Sequence, residues 1–181
     1  MRFQAEFTPW DQRGVPRLLE EYVRRRSKPG NMLIPGCGSA WEVRFLAEAG
    51  WQVTAVDFSP VAVARAAALL GPHAGNVRLG DFFAVEAGPI DTIYERAFQC
   101  ALPRDLWSAW AERVAVLLPP GGALLGFFFF DSAEKGPPFG LAPQQLDSLL
   151  NDNFILREQA APPDSLPVFE GKERWMVWER R

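Results

Sequence analysis

The residues with the most chemical content lie in one short stretch, Leu33-Ile34-Pro35-Gly36-Cys37-Gly38-Ser39-Ala40-Trp41-Glu42. An apolar run ends in a tight Gly-Cys-Gly turn, and a helix-forming segment follows. Glycines at such a turn let a ligand approach the backbone. A second apolar run, Val53-Thr54-Ala55-Val56, ends in Asp57, 21 residues after Gly36. An acid at the tip of the next strand accepts hydrogen bonds from ribose hydroxyls, so the spacing points to a nucleotide-type cofactor. Two further positions fit the same edge. Asp81-Phe82 offers a carboxylate for an adenine amino group and a ring to cover the base. Glu95-Arg96 is a charged pair closing the apolar run Ile90–Tyr94, a substrate-side candidate. Trp10, in Phe7-Thr8-Pro9-Trp10-Asp11, is a proline-stiffened aromatic that can close over a ligand.

Each position also has a plain structural reading. Gly-x-Gly closes ordinary strand-to-helix turns. Asp57 can serve the helix that begins after Ser59-Pro60, and Phe82 and Trp10 can be core residues. Glu95-Arg96 can be an ion pair between neighbours, and Glu42 an exposed acid stabilising a first helical turn. Cys37 and Cys100 read as small buried residues rather than nucleophiles.

The cofactor can be weighed on charge. A pyrophosphate wants a third glycine and a helix start open to an anion. Here Ala40-Trp41-Glu42 places an indole and a carboxylate at that point. S-adenosylmethionine carries no phosphate, and its sulfonium and amino groups are positive, so an acid nearby is compatible with it. A nicotinamide-dependent oxidoreductase is therefore the weaker alternative, and a catalytically silent cofactor-binding module is a third.

The elements that must position these residues follow from periodicity and breakers. Helices are expected over 13–26, 41–49, 60–70, 104–118 and 143–150. Strands are expected at 33–34, 53–58, 77–79, 90–94, 123–130, 154–159 and 174–178. Ser59 is an N-cap with proline after it. The unbroken apolar run Ala123–Phe130 reads as a fully buried strand. Alternating strands and helices give a parallel α/β sheet with helices on both faces. No helix separates the last two strands, so they form an antiparallel pair at one edge. Five parallel strands plus such a pair is the Rossmann-like layout of class I methyltransferases, a seven-stranded mostly parallel sheet.

Length and charge bound the rest. A chain of 181 residues, 48% hydrophobic, is expected to form a single domain, 1–181, with residues 1–28 as an N-terminal lid segment and helix. Net charge is −3 and the basic residues are scattered, which argues against nucleic acid. The apolar runs are too short for a bilayer span. One histidine and two distant cysteines point to no metal site and no disulfide framework. A cytoplasmic monomer acting on a small molecule is expected.

The motifs together resemble the thiopurine S-methyltransferase family. The resemblance rests on the Leu33–Glu42 stretch, Val56-Asp57-Phe58-Ser59 and Ile93-Tyr94-Glu95-Arg96-Ala97-Phe98-Gln99-Cys100-Ala101-Leu102-Pro103. Pro119-Pro120-Gly121-Gly122, Gly136-Pro137-Pro138-Phe139 and Glu173-Arg174-Trp175 also fit. Thr8-Pro9-Trp10-Asp11 is similar to the signature of the thiol/halide branch. The resemblance implies S-adenosyl-L-methionine as cofactor. Trp10 would cover it, and Pro35, Gly36, Gly38 and Phe58 would line it. Asp57 would hold the ribose, and Asp81 with Phe82 would frame the adenine. Arg96 would touch cofactor or acceptor, as in the thiopurine branch, where the thiol/halide branch usually has tyrosine. Glu95 is the one residue that could act as a base. Direct in-line transfer to a small soft nucleophile is implied: a thiol, thiopurine, halide, thiocyanate or chalcogen oxyanion. Further tryptophans that the family usually carries before Thr-Pro-Trp-Asp have no counterpart here beyond Phe3 and Phe7.

Overall fold

The computed structural model describes residues 14–133 and 135–181; Trp10 lies outside them. In chain order the elements are α1 (Arg17–Arg25), β1 (Asn31–Pro35), α2 (Trp41–Glu48), β2 (Gln52–Asp57), α3 (Pro60–Leu70) and β3 (Val77–Leu79). Then come β4 (Thr92–Arg96), α4 (Trp107–Leu117), β5 (Ala123–Phe129), α5 (Pro143–Leu150), β6 (Phe154–Ala160) and β7 (Glu173–Arg180). Short 3-10 turns stand at Gly71–Asn76, Gln99–Ala101 and Arg104–Leu106.

The strands form one sheet in the order β3-β2-β1-β4-β5-β7-β6. The first five are parallel, and β7 runs antiparallel between β5 and β6. The last strand of the chain thus lies inside the sheet, and β6 forms the edge. Side chains alternate across the pleat. Met32 and Ile34 of β1 join a core with Leu19 and Tyr22 of α1, Val43 and Leu46 of α2 and Leu70 of α3. Leu33 joins the opposite core, with Trp110 and Val114 of α4 and Leu146 and Leu150 of α5. Helices cover both faces, as the sequence implied.

Local chemistry explains the joints. Ser59 caps α3, its hydroxyl oxygen accepting from the Ala62 N–H at 3.3 Å, with Pro60 as first helical residue. In β5, a side chain at Gly126 would place Cβ 1.8 Å from the Glu95 carbonyl oxygen of β4. Only glycine lets these two strands pair beside the site.

Most boundaries differ from expectation by one to four residues, and two of the differences bear on the walls of the site. β4 spans Thr92–Arg96 rather than 90–94, so Glu95 and Arg96 are strand residues facing opposite sides of the sheet. Asp91 precedes β4, its backbone already bonded to Asn31 and Ala123 and its carboxylate accepting from the Asn31 backbone N–H at 2.8 Å. The turn Arg104–Leu106, expected as the start of α4, is 3-10, and the helix itself spans Trp107–Leu117.

Candidate active site

The carboxyl ends of the five parallel strands converge on one rim, the place where open α/β sheets hold ligands. Pro35 ends β1 and is buried, and the chain then turns through Gly36 and Gly38, at φ +58° and +53°. Both angles are in the left-handed region, where glycine is unstrained. Gly36 is also pressed from behind. A Cβ there would stand 2.4 Å from Cδ2 of Phe98.

Asp57, at the tip of β2, is buried and pins this turn. Its Oδ2 accepts from the Gly38 N–H at 3.0 Å and its Oδ1 from the Ser59 N–H at 2.9 Å. Each oxygen keeps a further lone pair for a ligand hydroxyl. The next residue, Phe58, is 79% exposed on the rim. An aromatic that exposed at the end of a strand can be covered by a planar ligand.

Asp81 lies past the end of β3, exposed, with Oδ1 accepting from the Phe83 N–H at 2.9 Å. Phe82 is 3% exposed and packs edge-to-face on Phe83 and Phe98, at 5.4 and 5.2 Å between centroids. The core reading of the Phe82 ring is the one the structure shows; the ring open at the rim is Phe58.

Glu95 and Arg96 do not pair with each other. Glu95 is 1% exposed, and its Oε1 accepts from the Phe98 and Gln99 N–H groups at 2.8 and 3.0 Å. It caps the turn that follows β4 and so holds Phe98 against Gly36 and Phe82. Burial pushes its carboxyl up to about 7, against the pull of those two bonds. A residue tied in this way holds the wall of the site through its Oε1. Between Arg96 and Phe98, Ala97 takes φ +58°, a left-handed conformation costly for a residue with a side chain. This kink swings the chain from the strand into the capped turn.

Arg96 extends to the other face. Its Nη1 lies 3.6 Å from Oε1 of Glu42, and its guanidinium stacks 5.2 Å from the Phe127 ring centre. Tyr94 Oη donates to the same Glu42 oxygen at 3.4 Å. Glu42 is therefore a buried partner of Arg96, contrary to its expected role as an exposed helix-end acid. Glu173, at the first residue of β7, belongs to the same cluster. The charge of Arg96 lowers its titration, while burial raises it further than that. It accepts from the Ser165 hydroxyl at 2.7 Å. Sequence reasoning placed Glu173 only within a family motif. The available signal was a lone acid opening the otherwise apolar alternation Trp175-Met176-Val177-Trp178.

Among the described residues, the rim and its walls carry the acids Glu42, Asp57, Asp81 and Glu173 around Arg96, with Glu95 drawn toward its neutral form by burial. Such a set fits a cationic sulfonium cofactor and repels a pyrophosphate, so the residues present suit S-adenosylmethionine. Burial raises the thiols of both cysteines, which disfavours their thiolate forms.

The sheet order and this rim define the class I methyltransferase fold. Solved structures agree. Magnesium protoporphyrin IX methyltransferase from Synechocystis PCC 6803 with bound S-adenosylmethionine superposes with a TM-score of 0.77 at 17% identity, over 99% of this chain and 93% of that one. A Burkholderia thailandensis 1,6-didemethyltoxoflavin-N1-methyltransferase gives 0.75 at 18% identity, over 99% and 84%. Over residues 1–181 the chain matches the thiopurine S-methyltransferase family. Relatives include thiocyanate methyltransferase 1 of Brassica oleracea, 30% identical over 96% of this chain and 80% of its own length. A thiopurine S-methyltransferase of Shewanella sp. (strain ANA-3) is 27% identical over 86% and 82%. The chain belongs to the thiopurine S-methyltransferase family, and it is an S-adenosylmethionine-dependent methyltransferase.

Proposed function

We propose that the enzyme, a single-domain cytoplasmic monomer, methylates a small soft nucleophile such as a thiol, thiopurine, halide, thiocyanate or chalcogen oxyanion. The observation that carries this reading is the Glu42–Arg96–Glu173 cluster at the end of β4, a charged group walled by aromatic residues at the place a small acceptor would enter. When bound, S-adenosylmethionine supplies an electrophilic methyl group on a sulfonium. Asp57 holds the ribose, Pro35, Gly36 and Gly38 line the cofactor, and Phe58 covers the adenine. Asp81 receives the adenine amino group, Phe82 backs that wall from the core, and Trp10 closes over the top. Arg96 stands on the acceptor side of the site, and Glu95 keeps the wall in place.

Alignment of acceptor and methyl can supply on the order of 7–11 kcal/mol of the barrier. A soft anion needs no base, in keeping with a chain that has one histidine, in the turn Gly71–Asn76 away from the rim. The test is transfer of labelled methyl to aromatic thiols, thiopurines, bisulfide, thiocyanate, iodide and selenium or tellurium oxyanions. Transfer to one group selects the acceptor class. Tight cofactor binding with no transfer to any of them would instead mark a silent binding module. The ribose assignment has its own check. Asp57→Ala removes two charge-assisted bonds and is expected to weaken cofactor binding at least tenfold by calorimetry; unchanged affinity rejects it.

A further inference from the structure

Arg96 is not an open cation. Glu42 of α2 stands 3.6 Å from it, and Glu173 of β7 lies on the same face of the sheet, since Arg96 pairs with Phe127 of β5 and Phe127 with Trp175, two residues from Glu173. The other groups facing Glu173 are Asp164, whose charge raises it, and the Ser165 hydroxyl that donates to it. The neighbouring cations are engaged elsewhere: Lys172 Nζ is 2.7 Å from Asp131, and Arg174 donates to backbone carbonyls. Glu173 is 7% exposed, and Cys100 in the turn after β4 feels its charge. Two buried carboxylates thus offset one guanidinium. A permanent anion arriving here finds its attraction to Arg96 cancelled.

We propose that Glu173 determines the charge state in which an acceptor is taken. The site favours a neutral thiol or selenol over a permanent anion such as thiocyanate or iodide. The acceptor proton passes to the Glu173 carboxylate as the sulfur lone pair forms the new carbon–sulfur bond. The bond from that methyl to the donor sulfur breaks, its electron pair staying on the departing thioether. Glu173 then returns the proton to solvent. This inference deepens the proposed function and rests on it.

The test uses the full chain and Glu173→Gln. The glutamine carbonyl keeps the Ser165 hydrogen bond and removes the charge. Glu179→Gln serves as control, since Glu179 lies at the far end of β7, paired with exposed Arg157. Thiocyanate binding to protein saturated with S-adenosylhomocysteine is measured by calorimetry, and kcat/KM is measured for thiocyanate and for a neutral alkyl thiol. Glu173→Gln is expected to bind thiocyanate on the order of tenfold tighter. It is expected to raise kcat/KM for thiocyanate and lower it for the thiol, while Glu179→Gln matches the wild type. Equal thiocyanate affinity in wild type and Glu173→Gln overturns the proposal, as does a parallel fall for both acceptors. Absence of transfer to any soft acceptor counts against the proposed function, and the binding titration still decides the role of Glu173.

Discussion

Glu95 shows how one buried acid can be structural and titratable together. Its Oε1 takes two backbone N–H groups, and its Oε2 is buried without a hydrogen-bond partner. In the unfolded chain such a carboxyl titrates near 4.5; in the fold, burial moves it up to about 7. The folded state therefore keeps a proton that the unfolded chain has lost. That contribution is fully present below the unfolded value and is lost as pH rises through the folded value. Above it the fold holds a buried carboxylate, at a cost on the order of 3 kcal/mol. Glu95→Gln keeps an acceptor for both N–H groups and removes the charge. Urea unfolding of wild type and variant, compared at intervals from pH 5 to 8, should show stability falling in the wild type relative to the variant as pH rises. Parallel curves would show that the carboxyl is not held neutral. Glu173, also raised by burial, is unchanged in both proteins and drops out of the difference.

At the scale of elements, the glycine turn and the β4 turn act as one unit. Glu95 holds Phe98, and Phe98 lies against Gly36 so closely that no Cβ fits. Gly36→Ala adds left-handed strain to an overpacked contact, and a loss of about 2–5 kcal/mol is expected. Adding Phe98→Leu to Gly36→Ala should recover part of it, so a double-mutant cycle by urea unfolding should give a coupling above about 1 kcal/mol. Additive losses would mean that the two turns are independent. This coupling also marks where sequence reading ran out. β3 and α5 were legible to the residue, because apolar periodicity and the flanking Gly and Pro residues are local signals. β4 was placed two residues early because its last two positions are charged, and what makes them strand is pairing with Gly126 and Phe127 of β5. Glu42 read as an exposed acid because its partner, Arg96, is brought to it only by the sheet. Phe82 and Phe58 could not be ranked by type, since an aromatic after a strand looks the same whether it faces core or rim.

Across the whole molecule, the parallel strands end at one rim, and the antiparallel pair β6–β7 brings Glu173 to that rim from the opposite chain direction. Both sheet edges are short or interrupted. β3 has three residues, and β6 carries a register shift between Leu156 and Glu158 with charged side chains along it. These features limit edge-to-edge association. The N-terminal helix is tied to the same end of the fold, since the Arg17 N–H donates to Asp164 in the β6–β7 connection at 2.9 Å. A ligand held at the rim therefore touches segments from both halves of the sheet and should stabilise the fold as a unit. At a hundredfold excess over its dissociation constant, a ligand bound only by the folded state adds about 2.7 kcal/mol, or a rise of about 5–10 °C in Tm for a domain of this size. S-adenosylhomocysteine is expected to give that rise in a thermal melt. NAD is expected to give none, because the rim is lined with carboxylates that would repel its pyrophosphate, a group S-adenosylhomocysteine lacks. A comparable shift with NAD would overturn the electrostatic argument on which the cofactor choice rests.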